Sequence, residues 1–583
     1  MQDQADRVLR RALSRREVLQ WAGAGAAGAV IASLTAGSAW AAATPLERLL
    51  PGVRVLSQPP RLQSVGDALP DLQLPFWGDG ASWNQPQYYE TIQAGTRRKP
   101  KTRQSADIDG DGQDELIARS AAGILVHRFN PDVGQWVPLP NGPPWADANG
   151  WDQPQYYETI QTADIDGDGR AELLARGAGG ITVWKFTTEN SWVQLPEGPA
   201  WADDGSWDQP QYYTTIQCAD IDGDGRAELL ARGAGGITVW KFTAENSWVQ
   251  LPEGPQWADA NGWDQPQYYT TIQCADFFLP GDPGYAGHGT HTQAVLLARG
   301  ADGIQIWRCT GAFQGWELLA AHNPEWSDYW GWDHPQYYET IQTADIDGDG
   351  RAELLGRGST GIAVAKFYPA SRTWNSLPGL PGFADATGGW VPPEYYTTIQ
   401  TADMDGDGQA EVLARDACGI IAFQYEGASQ GWKELQRGPK WNDAGGWNQV
   451  HYYSTIQTAR VNVSTFNLNG GLSNPNNPPT PEGKPVAALL GRDSLSLKTW
   501  RFQGGATPSW SQTSAPFPQF TGAQLTAYQY INQNLFGIDP SQDQDLRAQY
   551  ASVGAQGATD WMIQLQGWKT SAPPSDVNVP AAD

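Results

Sequence analysis

Apolar and polar residues alternate over short stretches in most of this chain, with glycine- and proline-rich segments between them. Residues 181–186, Ile-Thr-Val-Trp-Lys-Phe, are typical, since a period of two indicates a strand with one buried face. In the segment around them we predict four strands, at residues 156–163, 173–176, 181–186 and 192–195. A loop at 164–172 separates the first two strands, and the turn Gly-Ala-Gly-Gly at 177–180 separates the next two.

This segment recurs seven times, and each copy carries a Tyr-Tyr pair that is followed, after one residue, by Thr-Ile-Gln. Four antiparallel strands per repeat form a propeller blade, and closing the repeats into a ring leaves no long sheet edge open. We therefore predict an all-β fold, a seven-bladed β-propeller of four-stranded blades over residues 72–515, with a short C-terminal helical appendage. Residues 72–75 and 510–512 are rival candidates for the outer strand of the last blade. The Tyr-Tyr pairs begin at Tyr88, Tyr156, Tyr212, Tyr268, Tyr337, Tyr395 and Tyr452.

A loop with the pattern D-x-D-G-D-G-x-x-E follows the first strand of five repeats. Carboxylates at positions 1, 3, 5 and 9 wrap one side of a tight turn, position 7 offers its backbone carbonyl, and glycine at position 6 permits the bend. Hard oxygen ligands in this number suit calcium better than zinc or copper, so we predict about five bound Ca²⁺ ions. The predicted ligands are Asp107, Asp109, Asp111, Gln113 and Glu115; Asp164, Asp166, Asp168, Arg170 and Glu172; Asp220, Asp222, Asp224, Arg226 and Glu228; Asp345, Asp347, Asp349, Arg351 and Glu353; and Asp403, Asp405, Asp407, Gln409 and Glu411.

The charge of the chain is concentrated in these loops. The formal net charge is −26, and the five loops contribute 20 carboxylates. Three aspartates within five residues repel one another strongly unless a cation lies between them. The acidic balance also disfavours nucleic acid and anionic membranes as partners.

Two repeats depart from the pattern. In the fourth, Asp276 is followed by Phe277-Phe278 and an insertion that runs to Thr292. In the seventh, residues 460–463 carry no carboxylate, and a Pro/Asn-rich insertion follows. We expect these two blades to bind no calcium.

The acidic loops followed by Leu-Leu-Ala-Arg-Gly resemble FG-GAP/VCBS repeats, the units of the integrin α-subunit propeller, and the resemblance covers about residues 72–515. It implies that calcium stabilises each blade through the ligands given above. It also implies adhesion or ligand binding more often than catalysis, although some members of the family are attached to hydrolases or lyases. The sequence of the segments between the blades differs from that of integrins.

Aromatic residues are abundant in these segments between the blades. A Trp-x-Asp sequence lies six residues before the tryptophan of a Trp-x-x-Pro-x-Tyr-Tyr sequence in most copies. Indole faces beside carboxylates are suited to sugar recognition, but repeated aromatic residues also fill the gaps between blades, and we favour this packing role because recurrence in repeat arrays indicates packing. The candidate ligand-binding residues are Trp151, Trp207, Trp263, Asp147, Asp203 and Asp259.

These features favour a calcium-binding protein that acts in binding or adhesion, with a carbohydrate or another cell-surface polymer as partner. Two alternatives stay open: a polysaccharide lyase or hydrolase that uses the propeller face, and a structural envelope component. No nucleophile elbow, P-loop, dinucleotide fingerprint or zincin motif is present. His288 and His291, with Asp282 nearby, could hold a metal, but an ordinary exposed loop is the favoured interpretation.

The first 41 residues read as a twin-arginine (Tat) signal peptide. Arg15-Arg16 precede an Ala/Gly-rich stretch, and Ala39-Trp40-Ala41 matches an A-x-A cleavage site. We expect export to the periplasm or outside the cell and, after cleavage, no transmembrane segment; an uncleaved membrane anchor is the alternative. Residues 42–71 form an N-terminal extension, and residues 516–583 a helical tail with a disordered end.

The chain has four cysteines, which is too few for a disulfide scaffold. Cys218 and Cys274 occupy equivalent positions in neighbouring repeats, so a disulfide between them is conceivable. Buried thiols are the favoured alternative, because a disulfide demands a tight geometry.

Overall fold

The computed structural model describes residues 77–79, 82–94, 106–130, 135–285, 291–310, 314–321, 324–386, 389–461, 486–494, 496–503 and 509–514. The predicted signal peptide, N-terminal extension and C-terminal tail lie outside these residues. Within them, seven antiparallel sheets form a ring, and the predicted seven-bladed β-propeller is confirmed. Among the described residues, no helix is both long and apolar enough to cross a membrane.

Each blade is a meander in which consecutive strands pair with one another. Blade 1 contains β1 (Leu116–Ser120), β2 (Gly123–Asn130) and β3 (Gln135–Pro138), and its inner strand is reduced to a bridge between Gln93 and Ile117. Blades 2 to 4 contain β4 (Gln161–Ala163), β5 (Glu172–Gly177), β6 (Gly180–Phe186), β7 (Trp192–Gln194); β8 (Gln217–Ala219), β9 (Glu228–Gly233), β10 (Gly236–Phe242), β11 (Trp248–Gln250); and β12 (Gln273–Phe278), β13 (Gln293–Gly300), β14 (Gly303–Cys309), β15 (Trp316–Ala320).

The remaining blades follow the same order. Blades 5 to 7 contain β16 (Gln342–Ala344), β17 (Glu353–Gly358), β18 (Gly361–Tyr368), β19 (Thr373–Leu380); β20 (Gln400–Ala402), β21 (Glu411–Asp416), β22 (Gly419–Tyr425), β23 (Trp432–Glu434); and β24 (Gln457–Val461), β25 (Val486–Arg492), β26 (Leu497–Gln503), β27 (Ser509–Ser514). The turn between the second and third strands requires glycine. At Gly180 φ is +127°, and a Cβ atom there would lie 2.6 Å from the carbonyl oxygen of Pro199.

The first strand of each repeat is shorter than predicted. In blade 2 the prediction began the strand at Tyr156, but residues Pro154–Tyr157 form a helical turn and β4 begins only at Gln161. Proline at the first helical position explains the difference, because its fixed φ suits a helix and its missing N–H is not needed there. The equivalent turns are Pro86–Tyr89, Pro210–Tyr213, Pro266–Tyr269, Pro335–Tyr338, Pro393–Tyr396 and Val450–Tyr453.

Short 3₁₀ turns precede most of these helical turns and belong to the aromatic segments between the blades. Six of them have defined bounds among the described residues: Asp147–Asn149, Asp203–Gly205, Asp259–Asn261, Asp328–Trp330, Pro381–Phe383 and Asp443–Gly445.

The hydrophobic core lies between blades rather than within them. Seven clusters of buried residues each combine side chains from two neighbouring blades, so no blade covers its apolar faces alone. Between blades 2 and 3, for example, Leu174 and Val183 pack with Ile216 and Leu229. The innermost strands and the loops that follow them line a central channel of about 760 Å³.

Blade 7 closes the ring against blade 1. The outer strand of blade 7 is β27, so the candidate at 510–512 is confirmed, and its rival at 72–75 lies outside the described residues. The backbone N–H of Asp114 donates to the carbonyl of Arg460 at 2.7 Å, and Trp136 Nε1 donates to Thr499 Oγ1 at 3.0 Å. None of the four cysteines forms a disulfide, and Cys218 and Cys274 are buried, as the favoured alternative predicted.

Candidate functional site

The five acidic loops join the first and second strands of blades 1, 2, 3, 5 and 6. In blade 2, the first loop residue, Asp164, accepts the backbone N–H groups of Gly167 and Gly169 at 2.7 and 2.8 Å. The two glycines have φ of +78° and +88°, values that residues with a side chain rarely adopt. The loop backbone is therefore wrapped around the carboxylate at position 1.

The glutamate at position 9 is the first residue of the second strand in blades 2, 3, 5 and 6, and in blade 1 it directly precedes β1. Glu172 is fully buried, and its Oε2 accepts the backbone N–H of Ile165 at 3.0 Å. The same bond forms in the other four loops, to Glu115, Glu228, Glu353 and Glu411. In each loop this bond occupies Oε2 and leaves Oε1 to face the other acidic side chains.

The aspartate at position 5 holds the residue at position 7. Asp168 Oδ1 accepts the backbone N–H of Arg170 at 3.0 Å, and the remaining loops repeat this contact: Gln113 to Asp111, Arg226 to Asp224, Arg351 to Asp349 and Gln409 to Asp407.

Carboxylates at positions 1, 3 and 9 converge in every loop. One oxygen from each lies within 4.8 Å of the others, so each group could hold a metal ion. The donors are all oxygen atoms, which fits a hard divalent cation. The groups are Asp107, Asp109 and Glu115; Asp164, Asp166 and Glu172; Asp220, Asp222 and Glu228; Asp345, Asp347 and Glu353; and Asp403, Asp405 and Glu411.

The buried glutamates are electrostatically strained without a cation. Burial, reinforced by the neighbouring aspartates, raises the pKa of Glu115 and of Glu411 to about 9. Burial also raises the pKa of Glu172 to about 8 and that of Glu353 to about 7, and in both cases a nearby lysine opposes this rise. A positive charge inside the loop therefore favours the ionised glutamate.

Lysines from the third strand supply that charge in three loops. In blade 3, Lys241 Nζ lies 2.6, 2.9 and 2.7 Å from carboxylate oxygens of Asp222, Asp224 and Glu228. Lys185 and Lys366 contact the corresponding carboxylates of blades 2 and 5. These lysines were not among the predicted site residues, although their constant position, 19 residues after the second aspartate, is a signal in the sequence.

The loops also join neighbouring blades. The backbone carbonyl of Asp107 accepts the N–H of Ala171, the residue before the buried glutamate of the next blade, at 2.7 Å. The bond recurs around the ring and ends with the contact between Asp114 and Arg460. The other donor–acceptor pairs are Ala227 to Asp164, Ala294 to Asp220, Ala352 to Asp276, Ala410 to Asp345 and Ala487 to Asp403. The conformation of each acidic loop therefore bears directly on a contact between blades.

The fourth and seventh blades lack the buried glutamate. Val295 and Ala488 occupy its place, both buried, and Asp276 lies within β12. The insertion of blade 4 serves another contact, since Asp282 binds the guanidinium of Arg351 at 2.6 Å. His291 lies beside Gly225 of the blade 3 loop, and His288 is outside the described residues.

A buried arginine in the second strand of each blade binds residues of the aromatic segments between the blades. In blade 3, Arg232 Nε donates to the carbonyl of Trp257 at 2.7 Å, and its Nη2 binds Asp259. The guanidinium lies 5.5 Å from the centre of the Tyr212 ring, and the hydroxyl of Tyr212 donates to Asp259 at 2.5 Å. The seven arginines, all fully buried, are Arg119, Arg176, Arg232, Arg299, Arg357, Arg415 and Arg492.

The sequence-predicted ligand residues lie inside this network. Arginine and tyrosine already bind Asp147, Asp203 and Asp259. Trp151 and Trp263 are buried, and Trp207 is partly buried; each stacks on the preceding tryptophan with ring centres 4.6 Å apart. Ligand binding by these six residues stays a prediction. The arginines were not among the predicted site residues, although a charged residue inside an apolar strand in all seven copies is a signal in the sequence.

One pair of aromatic residues faces solvent instead. Tyr329 is 85% exposed and Trp330 is 62% exposed, and their rings meet edge to face with centres 5.0 Å apart. Small or polar residues stand at these two places in the other described 3₁₀ turns that begin with aspartate: Ala148 and Asn149, Asp204 and Gly205, Ala260 and Asn261, and Ala444 and Gly445. This pair also went unnoticed in the sequence, because it does not recur.

Comparison with known families agrees with the loops. Residues 107–175 and 164–231 each match the FG-GAP-like repeat. The chain is a β-propeller that contains FG-GAP-like repeats. No curated protein matches this FG-GAP propeller in sequence.

Solved structures match parts of this chain at low sequence identity. A lectin from Agrocybe aegerita that recognises non-reducing terminal N-acetylglucosamine has 17% identity and a TM-score of 0.50, over 69% of this chain and 90% of the lectin chain. A GH74 xyloglucanase from Xanthomonas campestris has 15% identity and a TM-score of 0.38, over 73% of this chain and 56% of the enzyme. The similarity to the lectin concerns the fold alone.

Proposed function

We propose that this FG-GAP propeller is an exported, calcium-stabilised binding protein whose ligand is a carbohydrate. The observation that carries the binding role is the exposed pair Tyr329 and Trp330. Large aromatic side chains lose favourable burial when they face water, and exposed aromatic clusters commonly mark binding sites. The enzyme and envelope alternatives stay hypotheses.

The turn that carries the pair is rigid. Asp328 begins it, donates its backbone N–H to Ala301 at 2.9 Å, and is held through its side chain by Arg299 and Tyr268. The two aromatic rings therefore extend from a fixed backbone, which lowers the entropy cost of binding. Flat aromatic faces beside polar groups suit the apolar face of a sugar ring, and Asp333 and His334 are exposed a few residues away.

The acidic loops support the calcium part of the proposal. Their donors are oxygen atoms only, their glycines fix the bend, and their backbone joins neighbouring blades. The lectin similarity supports a sugar ligand only by analogy of fold. Export rests on the twin-arginine sequence at the N-terminus.

A glycan array with matched variants tests the proposal. Changing Tyr329→Ala together with Trp330→Asn reproduces the residues of blade 2, Ala148 and Asn149, and should preserve the turn. We expect the affinity for bound glycans to fall at least about tenfold, which corresponds to about 1.4 kcal/mol. Tyr368→Ala, another exposed tyrosine, serves as the control and should bind like the unchanged protein.

Unchanged glycan binding by the double variant would refute the role of this pair. If Trp151→Ala abolished binding while the double variant kept it, the repeated tryptophans would be the binding residues instead. An array without any bound glycan would refute the carbohydrate ligand altogether.

A further inference from the structure

We infer that the five acidic loops are of two kinds: those of blades 2, 3 and 5 carry their own cation as a lysine ammonium group, and those of blades 1 and 6 bind calcium. The inference rests on the proposed calcium binding and divides the five loops that the sequence presents as equivalent. It predicts two tightly bound ions per chain rather than five.

The ammonium group lies where an ion would be coordinated. In blade 3, Lys241 Nζ is within 3 Å of carboxylates at positions 3, 5 and 9. Calcium binds oxygen ligands at 2.3–2.6 Å, so an ion and an ammonium group cannot share the same three oxygens. A lysine fixed on the adjacent strand also has a high effective concentration, which an ion from solution must overcome.

The oxygens of the buried glutamate show the same competition. Oε2 is occupied by the backbone N–H of position 2 in all five loops, so only Oε1 remains. In blades 2, 3 and 5, Oε1 of Glu172, Glu228 and Glu353 lies 3.2, 2.7 and 3.0 Å from the lysine Nζ. Only Glu228 Oε1 accepts a hydrogen bond from its lysine, whereas Oε1 of Glu172 and of Glu353 meets the ammonium group as an ion pair without a hydrogen bond. Asp222 and Asp347 also keep one buried oxygen without a hydrogen bond, but the ammonium binds their other oxygen.

Blades 1 and 6 differ because, among the described residues, no lysine forms an ion pair with that oxygen. Glu115 and Glu411 are fully buried, and Oε1 of each has no hydrogen-bond partner. A buried carboxylate oxygen without a partner is costly, and here it faces two or three other carboxylates. A divalent ion bound among them would satisfy this oxygen.

The residues at the lysine position explain the difference. In blade 1 the position holds Arg128, whose side chain is 43% exposed and forms an ion pair with Asp109 at 3.2 Å. In blade 6 it holds the uncharged Gln424, whose Nε2 donates to Asp407 at 3.0 Å. Neither side chain places a charge against the buried glutamate.

Calcium stoichiometry tests the inference. After removal of metal and re-addition of CaCl₂, calorimetric titration and elemental analysis of the gel-filtered protein should give two ions per chain. The triple variant Lys185→Met, Lys241→Met and Lys366→Met should bind five. If this variant fails to fold, Lys366→Met alone should bind three.

The reverse substitution is the sharper test, because it is expected to leave the fold intact. Gln424→Lys places a lysine in blade 6 as in blade 5 and should reduce the stoichiometry from two ions to one, whereas Gln424→Met should keep two. Five ions in the unchanged protein, or no loss in Gln424→Lys, would overturn the inference while leaving calcium binding intact. No binding in any variant would overturn the proposed calcium binding itself.

Discussion

Replacing Arg232 by leucine is expected to destabilise the propeller by about 3–5 kcal/mol, the usual cost of removing one partner from a buried ion pair. The substitution leaves the carbonyl of Trp257 and the carboxylate of Asp259 without their donor, and it removes the cation from the face of Tyr212. The unfolding midpoint in urea, measured with calcium present, reports the loss.

Two companion variants identify the cause. Arg232→Lys keeps the charge but not the planar fork that binds a carbonyl and a carboxylate together, so we expect an intermediate loss. Arg437→Leu removes a half-exposed arginine that binds Asp416 at 2.8 Å, and should cost at most about 1 kcal/mol. Equal losses in Arg232→Leu and Arg437→Leu would refute a structural role for the buried network.

The ring and its loops were predictable because both depend on local rules. Alternation, tight glycine turns and a repeated unit determine blades, and the spacing of Asp164, Gly169 and Glu172 determines a loop whose side chains bind its own backbone. The helical turn at Pro154 was missed because Thr and Ile further along suggested an extended strand from Tyr156 onward. Proline at the first helical position decides that boundary locally.

The contacts between distant residues were not predictable in the same way. Arg232 lies in β9 and Trp257 follows β11, so this contact between residues 25 positions apart forms only when the blade has folded. The aspartates of the aromatic segments between the blades therefore looked available for a ligand, whereas Asp259 is already bound by Arg232 and Tyr212. The recurrence that made these positions conspicuous reflects packing, while Tyr329 and Trp330 stand out because the other turns lack them.

The second large effect concerns calcium withdrawal. A ligand that binds only the folded state stabilises it by about 2.7 kcal/mol per site at a hundredfold excess over its dissociation constant. With calcium sites in blades 1 and 6, chelation by EDTA should therefore lower the melting temperature by several degrees, and added calcium should restore it. A melting temperature that EDTA leaves unchanged would contradict calcium binding at these loops.

Hydrogen exchange locates this effect within the ring. The amide of Ala171 donates to Asp107 and that of Ala487 to Asp403, so both bonds depend on the loops assigned to calcium. EDTA should speed exchange in peptides that contain these two amides. Peptides with Ala227 and Ala294, which donate to the loops of blades 2 and 3 that hold a lysine, should change little. Because all four amides occupy the same structural position, equal acceleration would mean that the lysines do not replace calcium.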